Sequence, residues 1–497
     1  MNNHTIFQFF HWYYNAEGNL WNHAAEEASH LAKLGVTHIW LPPAYKSARG
    51  LDEPGYSAYD LYDLGEFDQK GTVRTRHGTK DEYLKCINKI QRNGMQVLAD
   101  VVLNHKNGAD ETEKINVQKV NPHNRNEKVG EPETIDAWTK FTFPGRKGKY
   151  SQFIWDHHCF TGTSYDPMTI YLILNGYTNG QWEEMIEDEN GNFDYLMGAD
   201  IEYRNPYVIE ELKRWGEWYM NFAKLDGFRL DALKHINFTF FNEWIDHLRG
   251  HFQKNFMIIG EYWRNHVDPL LKYIELTNGR IQLFDCPLHF NFHEASLQKE
   301  NYDMRKILDN SLLQHKPELA ITFVDNHDTQ PLQSLQSPVE YWFKPLAYAL
   351  ILLREQGIPC VFYPTIYEAK YADKQGDKEI YIELNSLTCV EHMMLVRKQL
   401  AFGLQRDYFD HGNTVGWTRE GNGKKRLSGC AVLMTNGSAG DKNMEIGKKH
   451  AGKTFIDVCG GRQEKVVIDA NGWGKFFVND ASVSVWVRED AKKYVEP

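Results

Sequence analysis

Arg229 and Asp231 stand two residues apart in the run Gly227-Phe-Arg-Leu-Asp-Ala-Leu-Lys-His235. In an extended strand, residues at that spacing share one face, which leaves Phe228 and Leu230 on the other. A cation beside a carboxylate at the end of an otherwise apolar strand suggests chemistry more than packing. Polar groups close other strand-like runs too: Asp100, Asn104 and His105 after MQVLA, Glu261 after MIIG, and Asp325, His327 and Asp328 after AITFV. Three acids, Asp231, Glu261 and Asp328, without a serine or cysteine nucleophile motif, point to glycoside hydrolysis. A retaining glycosidase needs an ionised carboxylate to attack the anomeric carbon and a protonated carboxyl to release the leaving oxygen. The two environments must therefore push the proton affinities apart. Arg229 is expected to hold Asp231 ionised by direct charge pairing. Glu261, between MIIG and Tyr262-Trp263, is expected in a less polar setting that suits a general acid. Asp328 is left to bind ring hydroxyls, more tightly as the ring distorts, with His105 and His327 as neutral donors. A single carboxylate at a strand end is ordinarily a cap or a surface group. Three of them, with an arginine and two histidines in the same positions, weigh against that reading.

Residues so far apart in the chain need a fold that gathers strand ends. Eight strand-like runs (5–10, 37–43, 95–102, 226–230, 256–262, 280–285, 319–325 and 359–363) alternate with helical patterns such as 26–35, 80–94, 207–224 and 341–357. Gly35, Gly94 and Gly357 follow three of these helical stretches and read as C-cap signals. The alternation predicts an α/β fold, a (β/α)8 TIM barrel, whose strands converge on one active face through their C-terminal ends. An open doubly wound sheet is the competitor, but no GxGxxG follows any strand. After the third strand the sequence turns rich in Gly, Asn, Asp and aromatics and loses helical periodicity, which predicts an inserted β-rich subdomain. The last part carries short β-like runs (CAVLMT, KTFIDVC, KVVIDA, SVSVWV), which predict a C-terminal antiparallel β-sandwich. The expected segments are 1–103 and 205–396 for the barrel, 104–204 for the insertion and 397–497 for the sandwich.

Composition narrows the partners. A net charge of −11 offers no basic face for nucleic acid or an anionic membrane. The most apolar late stretch, Tyr348 to Tyr363, is broken by Arg354 and Glu355, so no membrane span is expected. Seven cysteines, odd in number and without CxxC spacing, read as free thiols and not as a disulfide framework or a cysteine zinc site. Aromatic residues make up 13% of the chain, enough for a large core or for platforms on which sugar rings stack. The N-terminal MNNHTIFQFFHWYY lacks a basic segment followed by a long apolar one, so a cytoplasmic location is expected, with a secreted or periplasmic one if that end is processed. A monomer is expected.

DVVLNH (100–105), GFRLDALKH (227–235), GEYW (260–263) and FVDNHD (323–328) resemble, in order, the four signature regions of the α-amylase family of glycoside hydrolases. The likeness extends through GYSAYDLYDLGEFDQKGTVRT (55–75), NGNFDYLMGADIEY (190–203) and DYFDHGNTVGWTREG (407–421), and is nearest to the liquefying bacterial type. The resemblance implies Asp231 as nucleophile, Glu261 as acid/base and Asp328 as the carboxylate that stabilises the transition state. It implies Arg229, His105 and His327 as substrate-holding groups, Tyr56 as the platform beneath the sugar, and Lys234, His235 and Trp263 on the aglycone side. It further implies one structural Ca2+ held by Asn104, Asp194, Asp200 and the carbonyl of His235, an all-oxygen set of the kind that ion requires. Positions that hold additional ions in relatives are Thr161, Glu183, Glu202 and Arg204 here, so a carboxylate is lost and a cation gained, and further ions are not expected. After the eighth strand, Pro364 and Thr365 replace the family's usual Gly and Asp, which alters the loop that follows. The implied activity is endo-acting, retaining hydrolysis of α-1,4-glucosidic bonds in starch, glycogen or maltodextrins. An isomaltase or transglycosylase on the same barrel is the enzymatic alternative, disfavoured by the Lys234-His235 pair and the short segment after Glu261. A catalytically inactive carbohydrate-binding protein would be expected to lack one of the three acids, and all are present.

Overall fold

A computed structural model describes residues 3–496. Eight short parallel strands close into a barrel in sequential order. They are β1 (Ile6–Gln8), β2 (His38–Leu41), β3 (Gln96–Val101), β4 (Gly227–Leu230), β5 (Met257–Gly260), β6 (Gln282–Phe284), β7 (Ala320–Phe323) and β8 (Ile358–Phe362). Seven lie inside the runs read from the sequence, and β8 begins one residue earlier, at Ile358. Strands walled by helices outside and by packed side chains inside are buried on both faces, which is why they read as unbroken apolar runs.

The longer helices are α1 (Leu20–Leu34), α2 (Lys80–Arg92), α3 (Pro206–Ala223), α4 (Phe238–Phe252), α5 (Asp268–Leu276), α6 (Cys286–Gln298), α7 (Lys344–Leu353) and α8 (Thr388–Gln399). Local chemistry sets their ends. Thr79 and Glu82 cap α2 reciprocally, and the side chain of Asn205 accepts from Tyr207 N ahead of Pro206 in α3. Two expectations need correction. Helix α1 starts at Leu20 instead of Glu26, because Trp21 and Ala24 extend the buried stripe of Ala28 and Leu31. Helix α7 stops at Leu353, where Arg354 turns extended and pairs with Asp407 at 2.8 Å. Gly357 is therefore no helix cap; at φ +76 it turns the chain into β8.

Between β3 and α3 lies an antiparallel sheet in the order His105–Lys106, Ala199–Ile201, Phe160–Asp166, Thr169–Ile173, Glu111–Asn121 and Asn124–Lys128, with Glu133–Lys140 also on Glu111–Asn121. Its first member follows directly from the β3 rim, so the insertion borders the active face of the barrel. Past β8, Pro364 opens a single helical turn, and Thr365 Oγ1 meets the Tyr348 hydroxyl at 2.6 Å. A two-stranded ribbon (Ala369–Gln375 with Lys378–Leu384) then projects from the barrel. The C-terminal region is a six-stranded antiparallel sheet and a two-stranded ribbon, Gly440–Glu445 with Trp473–Val478, packed over Leu433, Met444, Phe455, Phe476 and Trp486. All seven cysteines are free. Among the described residues no helix is long and apolar enough to cross a membrane.

Candidate active site

Parallel register builds the floor of the site. Arg229 on β4 is the direct partner of Asp100 on β3, so the two side chains point into the barrel at one level. Arg229 Nη1 donates to Asp100 Oδ1 at 3.0 Å. The other oxygen of Asp100 accepts from the Tyr56 hydroxyl at 2.7 Å and from Trp40 Nε1 at 3.0 Å. The Arg229 side chain is fully buried and lies over the Trp40 ring at 5.0 Å. A guanidinium fixed this way presents its remaining hydrogens upward with little freedom to rotate.

The rim stands on that floor. Asp231 N donates to Val101 O and Glu261 N to Leu230 O, each at 3.0 Å, so both acids leave their strands at one height. Arg229 Nη1 donates to Asp231 Oδ1 at 2.5 Å, and Nη2 donates to Glu261 Oε2. Ala232 adopts a left-handed conformation (φ 53, ψ 37), an uncommon state for a residue with a Cβ, and turns the chain into the short helical turn Leu233–His235. Gly260 precedes Glu261 in tight surroundings, since a Cβ there would sit 2.3 Å from Leu233 Cδ1 and 2.9 Å from Ile281 Cγ2 and both side chains would have to give way. Asp328 reaches the same space from the loop after β7, where Asn326 Oδ1 accepts its backbone N–H at 2.9 Å.

A cavity of about 530 Å³ opens over these groups and is lined by Asp231, Glu261 and Asp328. Tyr56, His105, His327, Lys234, His235 and Trp263 line it as well. Every expected catalytic and substrate-holding residue is thus either on its wall or, in the case of Arg229, directly beneath it. The aromatic rings are ordered: Tyr56 stacks on His327 at 5.0 Å, and Trp12 lies parallel to Tyr56 at 5.5 Å. Trp12, Glu189, Phe193 and Arg264 line the cavity without having been singled out from the sequence. Trp12 had a signal in the cluster FHWYY just after β1; the other three did not, because their segments carry no periodicity. Glu189 ties the far wall together by pairing with Lys234 at 2.5 Å and with Arg264 at 2.6 Å.

Burial dominates the proton affinities of the acids around Arg229. Burial drives the Glu261 carboxyl well above the ordinary carboxylate range, against the pull of Arg229 and with help from Asp231 and Asp328. The less polar setting expected for Glu261 is therefore only part of the account: Arg229, which holds Asp231, also touches Glu261 and opposes the rise, while the charges of Asp231 and Asp328 add to it. Burial likewise raises Asp328 to about 7 and Asp100 to about 6, with Arg229 opposing in both. Burial keeps His105 and His327 neutral by lowering both, His327 with a further contribution from Arg229. Gln8 Nε2 lies 3.0 Å from His327 Nδ1, which makes Nδ1 the acceptor and leaves the proton on Nε2, 3.3 Å from Asp328 Oδ2. His105 is different. Its Nε2 faces Tyr56 O at 3.0 Å and its Nδ1 faces the Asn104 amide at 3.3 Å, so it meets the cavity with no free ring nitrogen.

The residues expected to hold calcium lie at the junction of β3 and the insertion. Asn104, Asp194 and Asp200 are all buried. Asn104 Nδ2 approaches Asp200 Oδ1 at 3.3 Å, while Asn104 Oδ1 and Asp200 Oδ2 are buried without a hydrogen-bond partner. Burial, reinforced by Asp194, Glu183 and Glu202, raises Asp200 well above its ordinary range, and Asp194 is raised to about 7 chiefly by burial. Two orphaned oxygens inside a concentration of buried carboxylates fit a hard divalent cation. The neighbouring positions are occupied differently. Arg204 donates to both oxygens of Glu202, at 2.7 and 2.6 Å, and Thr161 Oγ1 adds a bond to Glu202 Oε2 at 3.3 Å.

A closed parallel barrel with a buried arginine joining two acids, and a third acid across the cavity, defines a carboxylate glycosidase. The family "Alpha amylase, catalytic domain" matches residues 21–392, and "Alpha-amylase C-terminal" matches 431–487. The chain is 48% identical to the cytoplasmic alpha-amylase of Escherichia coli strain K12, over 99% of this chain and 100% of the relative. It is 47% identical to the alpha-amylase of Bacillus licheniformis, over 98% and 94% respectively. The solved alpha-amylase of Geobacillus thermoleovorans complexed with acarbose shares the fold at a TM-score of 0.65 and 17% identity, covering 98% of each chain. The chain belongs to the α-amylase family of glycoside hydrolases. It is an endo-acting enzyme of that family, in which retention of anomeric configuration is general.

Proposed function

We propose that the chain hydrolyses internal α-1,4-glucosidic bonds of starch, glycogen or maltodextrins by double displacement, with Asp231 as nucleophile and Glu261 as acid/base. The observation that carries these roles is the single guanidinium of Arg229 donating to both carboxyls. One fork spanning two acids supports the separation of about 5–5.5 Å typical of retaining pairs over the about 6.5–9.5 Å that admits a water in inverting ones.

In the first step Asp231 attacks the anomeric carbon as Glu261, protonated because burial raises its proton affinity, gives its proton to the leaving oxygen. The resulting glutamate then takes a proton from water, which displaces Asp231 from the sugar. Asp328, raised to about 7, and the Nε2–H of His327 are suited to hold ring hydroxyls as charge develops. Tyr56 supplies the stacking platform, Lys234, His235 and Trp263 the leaving-group side, and His105 a ring edge. Asn104, Asp194, Asp200 and the carbonyl of His235 would hold one Ca2+, which would supply charge neutralisation between insertion and barrel and no chemistry at the cleavage point. A cytoplasmic location, where glycogen and maltodextrins would be the accessible substrates, fits the E. coli relative's printed description.

Incubation with soluble starch, followed by reducing-end assay and NMR, tests the proposal. Rapid loss of polymer length with α-anomer released first is expected; β-anomer first, or no product, overturns it.

A further inference from the structure

We propose that Asp156, His157 and His158, with Glu113 beside them, form a second metal site on the face of the insertion, suited to a borderline divalent cation such as Zn2+. A carboxylate oxygen of Asp156 and one ring nitrogen from each histidine lie within 4.8 Å of one another. Ligands of a tetrahedral zinc, about 2.0–2.2 Å from the ion, sit somewhat closer than that, so modest side-chain rotation closes the set. Two imidazoles with a carboxylate favour zinc, nickel, cobalt or copper over calcium, which takes oxygen donors. The chemistry is therefore distinct from that of the buried oxygen site at Asn104, Asp194 and Asp200.

The arrangement is held in place before any ion arrives. His157 Nδ1 lies 3.2 Å from Glu113 Oε1, and His157 N donates to Glu113 Oε2 at 2.9 Å. His158 Nδ1 lies 3.1 Å from Asp156 Oδ1, and the two imidazole rings are 4.0 Å apart. A carboxylate outside the ligand set that grips a histidine ring, as Glu113 does His157, fixes its orientation and raises its basicity as a ligand. The backbone is pinned as well: Asn175 Nδ2 donates to His157 O and Asn205 Nδ2 to His158 O, each at 2.9 Å. Those bonds link the turn to the sheet of the insertion and to the N-cap of α3. Side-chain exposure of 26% at His157, 50% at His158 and 42% at Asp156 leaves an open path for the ion and for water to complete its shell. Because Asn205, which bonds the carbonyl of His158, also caps α3, an ion here would stiffen the turn of the insertion that abuts α3, and its effect belongs to stability and not to turnover.

The full chain in excess calcium, titrated with Zn2+ by calorimetry, is expected to bind one saturating equivalent and to melt at a higher temperature. His158→Gln and Asp156→Asn should each weaken that binding by at least about tenfold. His247→Gln, on the other exposed histidine pair of α4, should leave it unchanged. Bound Co2+ should show visible ligand-field bands that disappear in His158→Gln, a signature that a purely structural role of the turn would not produce. Zinc affinity unchanged in both variants, or no saturable binding by the parent chain, overturns the proposal.

Discussion

At the scale of single residues, the chemistry turns on how one arginine is shared. Arg229 is fully buried and donates to Asp100, Asp231 and Glu261, yet burial still keeps Glu261 raised. Glu261→Gln preserves shape and removes the transferable proton, so kcat on starch should fall about 10²–10⁴-fold while oligosaccharide binding persists. An α-glucosyl fluoride, whose leaving group needs no proton, should recover much of the first step; equal loss on both substrates would reassign the acid. The negative charge of Asp328 helps to keep the proton on Glu261. With Asp328→Asn that negative charge goes, the ionised form of Glu261 becomes easier to reach, and the alkaline limb of kcat/KM should move to lower pH. An unmoved or higher limb, measured from pH–rate profiles of parent and variant, would separate the two carboxyls. The Arg229–Asp231 pairing was legible in the sequence because strand alternation alone puts them on one face. The contact from Arg229 to Glu261 was not, since it depends on the register of β4 against β5.

At the scale of elements, the barrel strands were readable one by one, whereas the insertion was readable as β-rich but not strand by strand, for one physical reason. Strands buried on both faces announce themselves as local apolar runs, as in MIIG or AITF, whereas the strands of the insertion carry mixed faces and pair across long separations. Glu111–Asn121 is polar at all but three of its eleven residues and finds its partners at 124–128, 133–140 and 169–173. Metal-site chemistry suffers the same loss of legibility: cysteine spacing says nothing of Asp156-His157-His158, a turn whose neighbour Glu113 comes from the distant strand Glu111–Asn121. The insertion nevertheless makes definite predictions. Removing calcium should lower the melting temperature, and Asp200→Asn should abolish that sensitivity; an ion present at about 100 times its dissociation constant contributes about 2.7 kcal/mol. A chelator that shifts parent and variant equally would remove calcium from Asn104, Asp194 and Asp200. Arg204→Ala is the complementary experiment. It leaves the fully buried Glu202 carboxylate without its bidentate partner, which should cost about 3–5 kcal/mol in denaturant unfolding. Calcium in excess should restore part of that loss by occupying the vacated place, and absence of any rescue would mean that Arg204 does not stand where an ion could.

At the scale of the whole molecule, stability should carry a pH dependence written by histidines the active site does not use. Burial lowers His11, His38, His77 and His289 to about 4. His77 is the cleanest case. Its Nε2 faces Pro54 O at 3.0 Å, its ring packs against Trp21 at 5.3 Å, and burial is the largest cause of its shift. Between the unfolded value, about 6.5, and the folded value the unfolded chain binds a proton that the native chain does not, so lowering pH through that window favours unfolding. Each such histidine contributes stability that is complete above about 6.5 and is lost as pH falls towards 4, at up to about 1.4 kcal/mol per pH unit. Buried carboxyls with raised affinities, such as Asp285 at about 6, act in the opposite direction over an overlapping window. The total slope therefore mixes two signs, and the informative quantity is a difference between parent and variant. His77→Gln removes one proton site while leaving the carboxyls untouched, so the stability advantage of the parent should shrink steadily from pH 6.5 to 4 and stay constant above about 7. Denaturant unfolding of both chains across that range, with calcium held in excess, measures the difference directly. A parent advantage that does not change with pH would mean that His77 is protonated in the folded chain as readily as in the unfolded one, and that its burial beside Trp21 has no hold on its proton.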